Sequence, residues 1–355
     1  MSEPNYFQSL RHGASTFSYI NSANQEELET ALAWGAAGNT MNPTHPPKAL
    51  KADPHLWEPV IDKLLRDDPQ MSNEEVADIV TRRMAQRSSD LFMPVYEETG
   101  GRIGYCAIQS NPYRNHDFAE LVTQAKLYAG MAPNVAPKIP STEVGIHAVE
   151  VLTAIGIPTI CTMGFSVAQN VAMAEAYERG LTALAGKVPQ PACFVVIIPG
   201  ILDEYLTTQV QLLNAFHVDP AVLRHAGNAV ARHSYRVFRE RGFRASLMVG
   251  GIRHLYHFTD VVGKGVHITH NIDTWAKLRE QNPPLSPSIF DETPPSILSG
   301  LGRELRDFQR AYELQGLQAS EFSGFGPCVR FNNFCRQGFD QFTKAIQTRR
   351  EALEA

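Results

Sequence analysis

Eight short apolar segments recur along the 355-residue chain, and their spacing limits the folds that the chain can adopt. Each is rich in β-branched or small apolar residues, which is typical of strands buried on both faces. In chain order they are Phe17–Ile20, Ala36–Met41, Ile103–Gln109, Val135–Ile139, Pro158–Thr162, Phe194–Ile198, Ser246–Gly250 and Gly265–Thr269. Longer polar and amphipathic stretches separate them, so we expect parallel strands joined by crossovers.

Amphipathic helices are predicted after several of these strands, because apolar residues recur there at three- and four-residue spacing. They are Glu26–Trp34, Phe118–Tyr128, Glu143–Ile155 and Val167–Ala185. Eight strand–helix units favour an α/β fold closed into a (β/α)₈ TIM barrel. A doubly wound open sheet is the alternative, but no glycine-rich phosphate loop follows the first strand.

Three segments lie outside the repeating units of this predicted single domain, residues 1–355. Residues 48–98 are expected to form a helical insertion with a capping sequence at Ser72. The proline-rich residues 282–296 are expected to form a loop. The tail, about 298–355, returns to helix, and its aromatic-rich part Phe322–Phe342 is predicted to pack across a barrel opening.

Composition narrows the functional class. The net charge is −5, and the Arg-rich stretch Arg232–Arg244 is interpreted as the solvated side of a helix, so nucleic acid is not an expected partner. No run of about 18 apolar residues exists, and MSEPNYFQSL lacks the pattern of a secretory signal. We therefore expect a cytoplasmic protein that does not bind membranes.

The five cysteines are odd in number and lack CxxC spacing, which indicates reduced thiols rather than disulfides or a zinc site. Cys106, Cys161 and Cys193 lie in apolar segments and are expected to be small core residues.

Reacting groups of such barrels lie at the carboxyl ends of the strands. The predicted strand ends carry Asn21, Asn42, Gln109, Lys138 and Thr162. Around them the chain contains APKIPSTEVGIHAVEVLTAIGIPTICTMGFSVAQNVAMAEAYERG, DLFMPVYEETGGRIGYCAIQSNPYRNHDF and NTMNPTHPPKAL. These segments resemble the transaldolase family, in order and spacing, from about residue 17 to about residue 278.

The resemblance implies a role for each matching residue. Lys138 would form an imine with a ketose, and Thr162 would help to position a catalytic water. Asn42 would bind hydroxyls of a dihydroxyacetone unit, and Arg253 in MVGGIRH would bind a substrate phosphate. The expected function is cleavage or transfer of a three-carbon unit from a small sugar or sugar phosphate. No cofactor is expected, and a homodimer is compatible with the sequence.

The chain also departs from the family pattern. The first-strand acid is replaced by Asn21. The third-strand glutamate is replaced by Gln109, and a glutamine at this place resembles the related fructose-6-phosphate aldolases. The sixth-strand serine and arginine that hold phosphate fall near Val195 and Gly200. These departures predict weaker discrimination in favour of phosphorylated substrates.

The chemistry of imine formation requires a neutral lysine amine and a group that moves a proton, whether or not the resemblance holds. A lysine attacks a carbonyl only as a neutral amine, so burial of Lys138 should lower its pKa. Neither Asn21 nor Gln109 can titrate, so another base would have to move the proton. The candidates are Tyr105, Asp203, Glu204, His267 and His270.

Among these candidates His270 is favoured because it lies just past the eighth predicted strand. A metal held by His267 and His270 is rejected because no carboxylate ligand lies nearby in the sequence.

Three functions remain open: an active carbon–carbon lyase or transferase, a non-catalytic sugar-binding or regulatory barrel, and a Schiff-base enzyme of different chemistry such as a dehydratase. Lys138 favours the first and third, since a binding module does not need a buried amine. Asn21 favours the second and third.

Overall fold

The computed structural model describes residues 5–215 and 217–354 and contains a closed barrel of eight parallel strands. Each strand pairs with its neighbours in chain order, and the last pairs with the first. The strands are β1 Phe17–Asn21, β2 Asn39–Thr40, β3 Cys106–Ile108, β4 Val135–Pro140, β5 Thr159–Gly164, β6 Cys193–Ile197, β7 Ser246–Val249 and β8 His267–His270. The predicted (β/α)₈ barrel is therefore confirmed.

The helices surround the barrel and follow its strands. They are α1 Tyr6–Ser9, α2 Gln25–Ala33, α3 His45–Ala52, α4 Pro54–Asp67, α5 Asn73–Glu98, α6 Phe118–Ala129, α7 Glu143–Ala154, α8 Val167–Leu184, α9 Pro199–Leu212, α10 Pro220–Leu223, α11 Ala226–Arg241, α12 Tyr256–Thr259, α13 Ile272–Gln281, α14 Pro295–Glu304, α15 Arg306–Tyr312 and α16 Gly326–Glu354. Within the described residues, none of these helices is long and apolar enough to cross a membrane.

Most predicted boundaries agree with the structure to within a residue or two. The largest differences are at β2, which is two residues long where Ala36–Met41 was predicted, and at β3, which is three residues long where Ile103–Gln109 was predicted. Ala36 and Ala37 are buried although they precede the strand. Their apolar character therefore reflects burial and not strand pairing. Ser72 caps α5 as predicted, in a reciprocal pair of bonds with Glu75.

The predicted loop 282–296 is only partly irregular. It contains a 3₁₀ turn at Ser288–Phe290, and α14 already begins at Pro295. Proline is well suited to the first turn of a helix, because its missing N–H has no helical partner there. The same residue type that indicated a loop therefore also starts the next helix.

The Arg-rich stretch lies on and just after α11, where it forms ion pairs with α8. Arg241 pairs with Glu175 at 2.7 Å, and Arg244 donates from Nε to Glu178 at 2.8 Å. The prediction of a solvated helix face is confirmed. All five cysteines are buried free thiols, as expected.

Side chains on the strands alternate between the barrel interior and the helices. At the amino end, the interior contains the aromatic layer, which we define as Tyr19, Tyr105, Phe194 and His267. The ring of Phe194 lies 4.8 Å from that of His267 and 5.5 Å from that of Tyr105, both edge to face. This layer closes the amino end of the barrel.

Helix α16 packs against α3, α4, α5, α9 and β5. At Gly338 it approaches the backbone of Thr44 so closely that an added Cβ would lie 2.6 Å from the Thr44 Cα. Further along, Arg349 donates from Nε to Asp62 at 2.9 Å. The helix thus lies across the carboxyl-end opening, as predicted for the tail.

Candidate active site

Lys138 is the only residue of β4 that is not fully buried. Its partner in the neighbouring strand is Ile160, and both side chains point into the barrel. Burial lowers the pKa of Lys138 to about 8, and the nearby Cys335 thiol acts in the opposite direction. Roughly a tenth of the side chain is then the neutral, nucleophilic amine at pH 7.

Gln109, Thr162 and Cys335 lie around this amine. Ile108 pairs with Pro137, so the next rung places Gln109 beside Lys138, while Thr162 pairs with Pro140 further along. Cys335 reaches the site from α16, where it is hydrogen-bonded to Gln109 and its pKa is raised to about 12 by burial. Within the described part of the chain, nothing donates a hydrogen bond to Gln109 Oε1.

A small cavity of about 30 Å³ lies between Asn42 and Gln109, and Phe339 and Phe342 of α16 line its outer side. This space is enough for about one or two water molecules. Glu74, Asp78 and Tyr128 also line it, so it lies on the α5 and α6 side of Gln109.

Asn21 is fixed in a polar network at the end of β1. Its Oδ1 accepts from Thr40 at 3.1 Å, and its Nδ2 donates to Asn271 at 3.1 Å. The Thr40 hydroxyl also bonds to that of Thr269 at 2.6 Å. Both ends of the amide have partners, so Asn21 acts here as a structural connector of β1, β2 and β8.

Asn42 organises the turn between β2 and α3. Its Oδ1 accepts from the backbone N–H of Thr44 at 2.9 Å and from the Thr44 hydroxyl at 2.8 Å. Its backbone N–H lies 3.0 Å from Nδ1 of His45, the first residue of α3. The Nδ2 group of Asn42 is left as a donor that can bind a substrate hydroxyl.

Arg253 lies beyond β7 and donates from Nε to Glu204 of α9 at 2.7 Å. Gly200 makes this position possible, because a Cβ there would lie 2.8 Å from Arg253 Cγ and 2.2 Å from the Gly251 carbonyl oxygen. The space of the missing sixth-strand arginine is therefore occupied by the seventh-strand arginine. Val195, also considered as part of a phosphate site, is fully buried and faces the helices.

The buried His257 holds the backbone of this arginine. Its Nδ1 accepts the N–H groups of Arg253 and His254 at 3.3 and 3.1 Å, and its Nε2 lies 2.8 Å from Asp203 Oδ2. Asp203 Oδ1 also accepts from Gly227 at 2.7 Å. Asp203 is thus engaged in positioning a loop and is not available as the missing base.

A cavity of about 680 Å³ opens beside these residues, and Arg224, Arg253 and Arg330 line it. Arg330 belongs to α16, five residues before Cys335, a distance of about 7–8 Å along the helix. Helix α16 thus contributes Arg330 to this cationic cavity and Cys335 to the surroundings of Lys138, with the two side chains about 140° apart around the helix axis.

The remaining candidate bases do not face the amine. His270 points toward the helices, where it stacks on Trp275 at 4.7 Å and burial lowers its pKa to about 3. His267 and Tyr105 belong to the aromatic layer, at the opposite end of the barrel from Lys138. His267 and His270 lie on opposite faces of β8, so they cannot ligate one metal ion.

Sequence reasoning did not select several residues that the fold brings to this end of the barrel: Thr40, His45, Thr269, Asn271 and Cys335. Among these residues only His45 could have been selected from the sequence, because it follows Asn42 by three residues in the MNPTH segment. The others come from distant segments and reach the site through tertiary contacts.

The comparisons with known proteins point to one family. The model of the transaldolase/fructose-6-phosphate aldolase family matches residues 19–315. A transaldolase of Thiobacillus denitrificans is 32% identical over 155 residues, 41% of either chain. Transaldolase 1 of Streptomyces avermitilis is 30% identical over 213 residues, 57% of this chain and 54% of the relative. A transaldolase of Neisseria meningitidis serogroup C is 32% identical over 161 residues, 44% of each.

The chain belongs to the transaldolase/fructose-6-phosphate aldolase family, since the family model matches most of its length. Its alignments with these curated relatives span about half of their length or less. Helix α16, with Cys335 and Arg330, lies beyond the matched residues.

Proposed function

We propose that this protein is a Schiff-base aldol enzyme in which Lys138 condenses with a ketose and cleaves or transfers a three-carbon dihydroxyacetone unit. The observation that carries the proposal is the state of Lys138: partly accessible in an otherwise buried strand, with a pKa lowered to about 8. A buried amine has a cost in stability, and nucleophilic catalysis supplies a reason for its presence.

The reaction begins when the neutral amine adds to the ketose carbonyl and water leaves. The protonated imine then withdraws electrons, so the bond between the third and fourth substrate carbons can break. Gln109 and Thr162 are suited to hold the water that enters and leaves at the imine carbon, and the Nδ2 group of Asn42 is suited to a hydroxyl of the retained unit.

The far end of the substrate would carry an anion. Arg253 can offer its Nη groups while Nε stays bonded to Glu204, and Arg224 and Arg330 line the same cavity. Guanidinium groups suit phosphate because they donate paired hydrogen bonds. We therefore assign a sugar phosphate as the preferred substrate class and a free sugar as the weaker one.

A second candidate function follows from Asn21, whose amide is satisfied on both sides by Thr40 and Asn271. A site that forms the imine but does not break the carbon–carbon bond would be a Schiff-base enzyme of different chemistry or a sugar-binding regulatory barrel. This alternative predicts a trapped adduct without release of an aldehyde.

The deciding experiment combines borohydride trapping with an assay of aldehyde release, using fructose 6-phosphate, free fructose and dihydroxyacetone. We expect a mass increase on Lys138 with at least one ketose, and release of the aldehyde from fructose 6-phosphate or fructose where that ketose forms the adduct. Dihydroxyacetone has no fourth carbon, so it can form the adduct but release no aldehyde. Intact mass and peptide mapping identify the modified residue.

Lys138→Ala is the test variant, and Lys126→Ala on α6 is the matched control because it removes a lysine remote from the strand ends. An adduct on a different lysine would contradict the proposed nucleophile. An adduct on Lys138 without aldehyde release would favour the second candidate.

A further inference from the structure

We propose that Gln169 is a positioning residue of this site, which holds a bulge in β5 and thereby directs the Thr162 hydroxyl toward the imine on Lys138. The inference deepens the proposed function and rests on imine formation at Lys138. It concerns the water that enters and leaves at the imine carbon, which Thr162 is suited to hold.

Strand β5 is irregular at the point where Thr162 lies. The register of its pairing with β6 shifts between Cys161 and Gly164, where two residues of β5 lie opposite one residue of β6. Such a β-bulge changes the direction of the side chains beside it and occurs often next to active sites. The two bulged residues are Thr162 and Met163, so the orientation of Thr162 depends on what stabilises the bulge.

The backbone of Met163 adopts a conformation that is unfavourable for a residue with a side chain. Its φ is 63°, in the left-handed region that favours glycine, and its side chain is buried. In one common kind of bulge this position is occupied by glycine. Contacts from outside the strand must therefore hold Met163 in place.

Gln169, in the first turn of α8, supplies these contacts. Its side chain is fully buried, and its Nε2 donates to the carbonyls of Ser141 at 2.8 Å and Met163 at 3.1 Å. Ser141 in turn donates from its backbone N–H to the Thr162 carbonyl at 2.6 Å. One amide group therefore ties the end of β4, three residues after Lys138, to the bulge of β5.

Capping of α8 accounts for only part of these bonds. The Ser166 hydroxyl accepts from the Gln169 N–H at 3.1 Å, and Gln169 Oε1 accepts from the Ser166 hydroxyl at 3.1 Å and from the Phe165 N–H at 3.0 Å. A capping side chain needs only such an acceptor. The donors of Nε2 are not required for the start of the helix, and they bond to the strand ends.

The same amide links the bulge to the helix that covers the pocket. Cys328 of α16 lies with its Sγ 3.2 Å from Gln169 Nε2, and its thiol donates to the Met163 carbonyl at 3.4 Å. Cys328 is fully buried, so these contacts are shielded from solvent. The position of α16 and the direction of Thr162 are therefore coupled through one buried group.

Gln169→Glu tests this role, because a carboxylate keeps the acceptor of the amide but cannot donate to the Ser141 and Met163 carbonyls. Dihydroxyacetone is the probe, since it forms the imine without a carbon–carbon bond that has to break. We expect the initial rate of borohydride-trapped adduct formation on Lys138 to fall by about 10- to 100-fold, because a small misplacement of a positioned group lowers rates to this extent. Intact mass follows the adduct, and urea denaturation gives the folded fraction.

A double-mutant cycle separates positioning from general support of the fold. Thr162→Val removes the hydroxyl while keeping the shape of the side chain, and we expect it to slow adduct formation by a similar factor. If Gln169 acts through Thr162, then adding Gln169→Glu to Thr162→Val should lower the rate by less than about threefold. A general structural role would instead give the same loss in both backgrounds.

Asn170→Asp is the matched control. Asn170 is the next residue of α8, is equally buried, and donates to Ser234 of α11 at 2.9 Å rather than to a strand end. This variant should lower the free energy of unfolding, while the rate of adduct formation by the folded fraction stays the same.

A slower rate in Gln169→Glu that disappears in the Thr162→Val background supports the proposal. An unchanged rate in Gln169→Glu or in Thr162→Val, an equal loss in both backgrounds, or an equal loss in Asn170→Asp would each overturn it. If the wild-type protein forms no adduct with any of the ketoses, the proposed function itself fails, which is a separate result.

Cys328→Ala takes the place of Gln169→Glu if that variant does not fold, because it removes only the thiol that donates to the Met163 carbonyl. Loss of this one hydrogen bond should slow adduct formation by about 2- to 10-fold. A loss of that size supports the proposal, and an unchanged rate overturns it.

Discussion

The two ends of the barrel interior follow the same alternation of side chains but differ in what they contain. At the amino end, His267 is enclosed by the rings of Tyr19 and Phe194, and burial lowers its pKa to about 3. At the carboxyl end, Lys138 is surrounded by polar side chains, and burial lowers its pKa to about 8. The same physical effect makes the histidine an inert neutral core residue and the lysine a nucleophile.

The two ends of the barrel therefore have different roles: the amino end stabilises the fold, and the carboxyl end holds the candidate reacting groups. Aromatic pairs at the amino end contribute about 0.5–1.5 kcal/mol each beyond the area that they bury. The polar residues at the other end, Asn21 and Thr40 among them, contribute hydrogen bonds, and a small cavity lies beside Asn42 and Gln109. Variants at one end should therefore change folding, and variants at the other should change reaction rates.

The largest effect is expected for Phe194→Ala. This substitution removes the ring that contacts Tyr105 and His267, so the free energy of unfolding should fall by about 3–5 kcal/mol. Urea denaturation measures the change, and the folded fraction should still form the Lys138 adduct. A change below about 1 kcal/mol would show that the aromatic layer does not maintain the barrel.

The second prediction concerns pH. With the pKa of Lys138 at about 8, the neutral fraction rises from about 1% at pH 6 to about half at pH 8, so initial adduct formation should rise about 50-fold. The direction is fixed because only the deprotonated amine attacks. His267 should not contribute, since its pKa of about 3 keeps it neutral throughout. A rate that is flat between pH 6 and 8 would contradict the assignment.

The third prediction concerns Arg253→Met, which changes a residue beyond the carboxyl end of β7. Loss of a charged hydrogen bond should lower kcat/KM for a phosphorylated ketose about tenfold, while kcat/KM for the free ketose stays the same. The control is Arg66→Met on α4, a helix that does not line the cationic cavity. Equal losses for both ketoses would indicate that Arg253 supports the loop and does not recognise phosphate.

The smallest effect is expected for Asn21→Asp. Aspartate can still accept from Thr40, and rotation of the Asn271 amide would offer it a donor. Because both ends of this side chain are bonded to Thr40 and Asn271, the new carboxylate should stay bound to them, and the gain in aldehyde release should stay below about tenfold. A gain of 10² or more in this single variant would mean that the wild-type site lacks an acid–base group.

The barrel could be predicted from the sequence because each strand and each helix leaves its own local pattern, and these patterns repeat along the chain. Buried parallel strands need apolar runs, crossovers need amphipathic helices, and both patterns recur in order. Lys138 and Gln109 could be selected by the same logic, since strand order alone places their side chains together. The loop prediction at 282–296 was wrong at its end, because Pro295 starts a helix.

The rest of the site depends on contacts that no local pattern records. Cys335 and Arg330 reach the barrel mouth only because α16 folds back over it. Gly200 appeared as a lost anchor, whereas its missing side chain makes room for Arg253. His270 looked suitable at a strand end, but the alternation of β8 turns it toward Trp275 and away from the amine.

Helix α16, which covers the pocket, and β4, which carries Lys138, are separate segments of the chain, so one can be changed without the other. The residue that would form the imine lies in β4, whereas part of the wall that faces the substrate lies in Gly326–Glu354. Substitutions at exposed positions in the first half of this helix, such as Val329 and Arg330, can reshape the cavity while the strand that carries Lys138 stays intact. A library confined to such positions offers a direct route to new acceptor aldehydes without changing the buried residues of the helix.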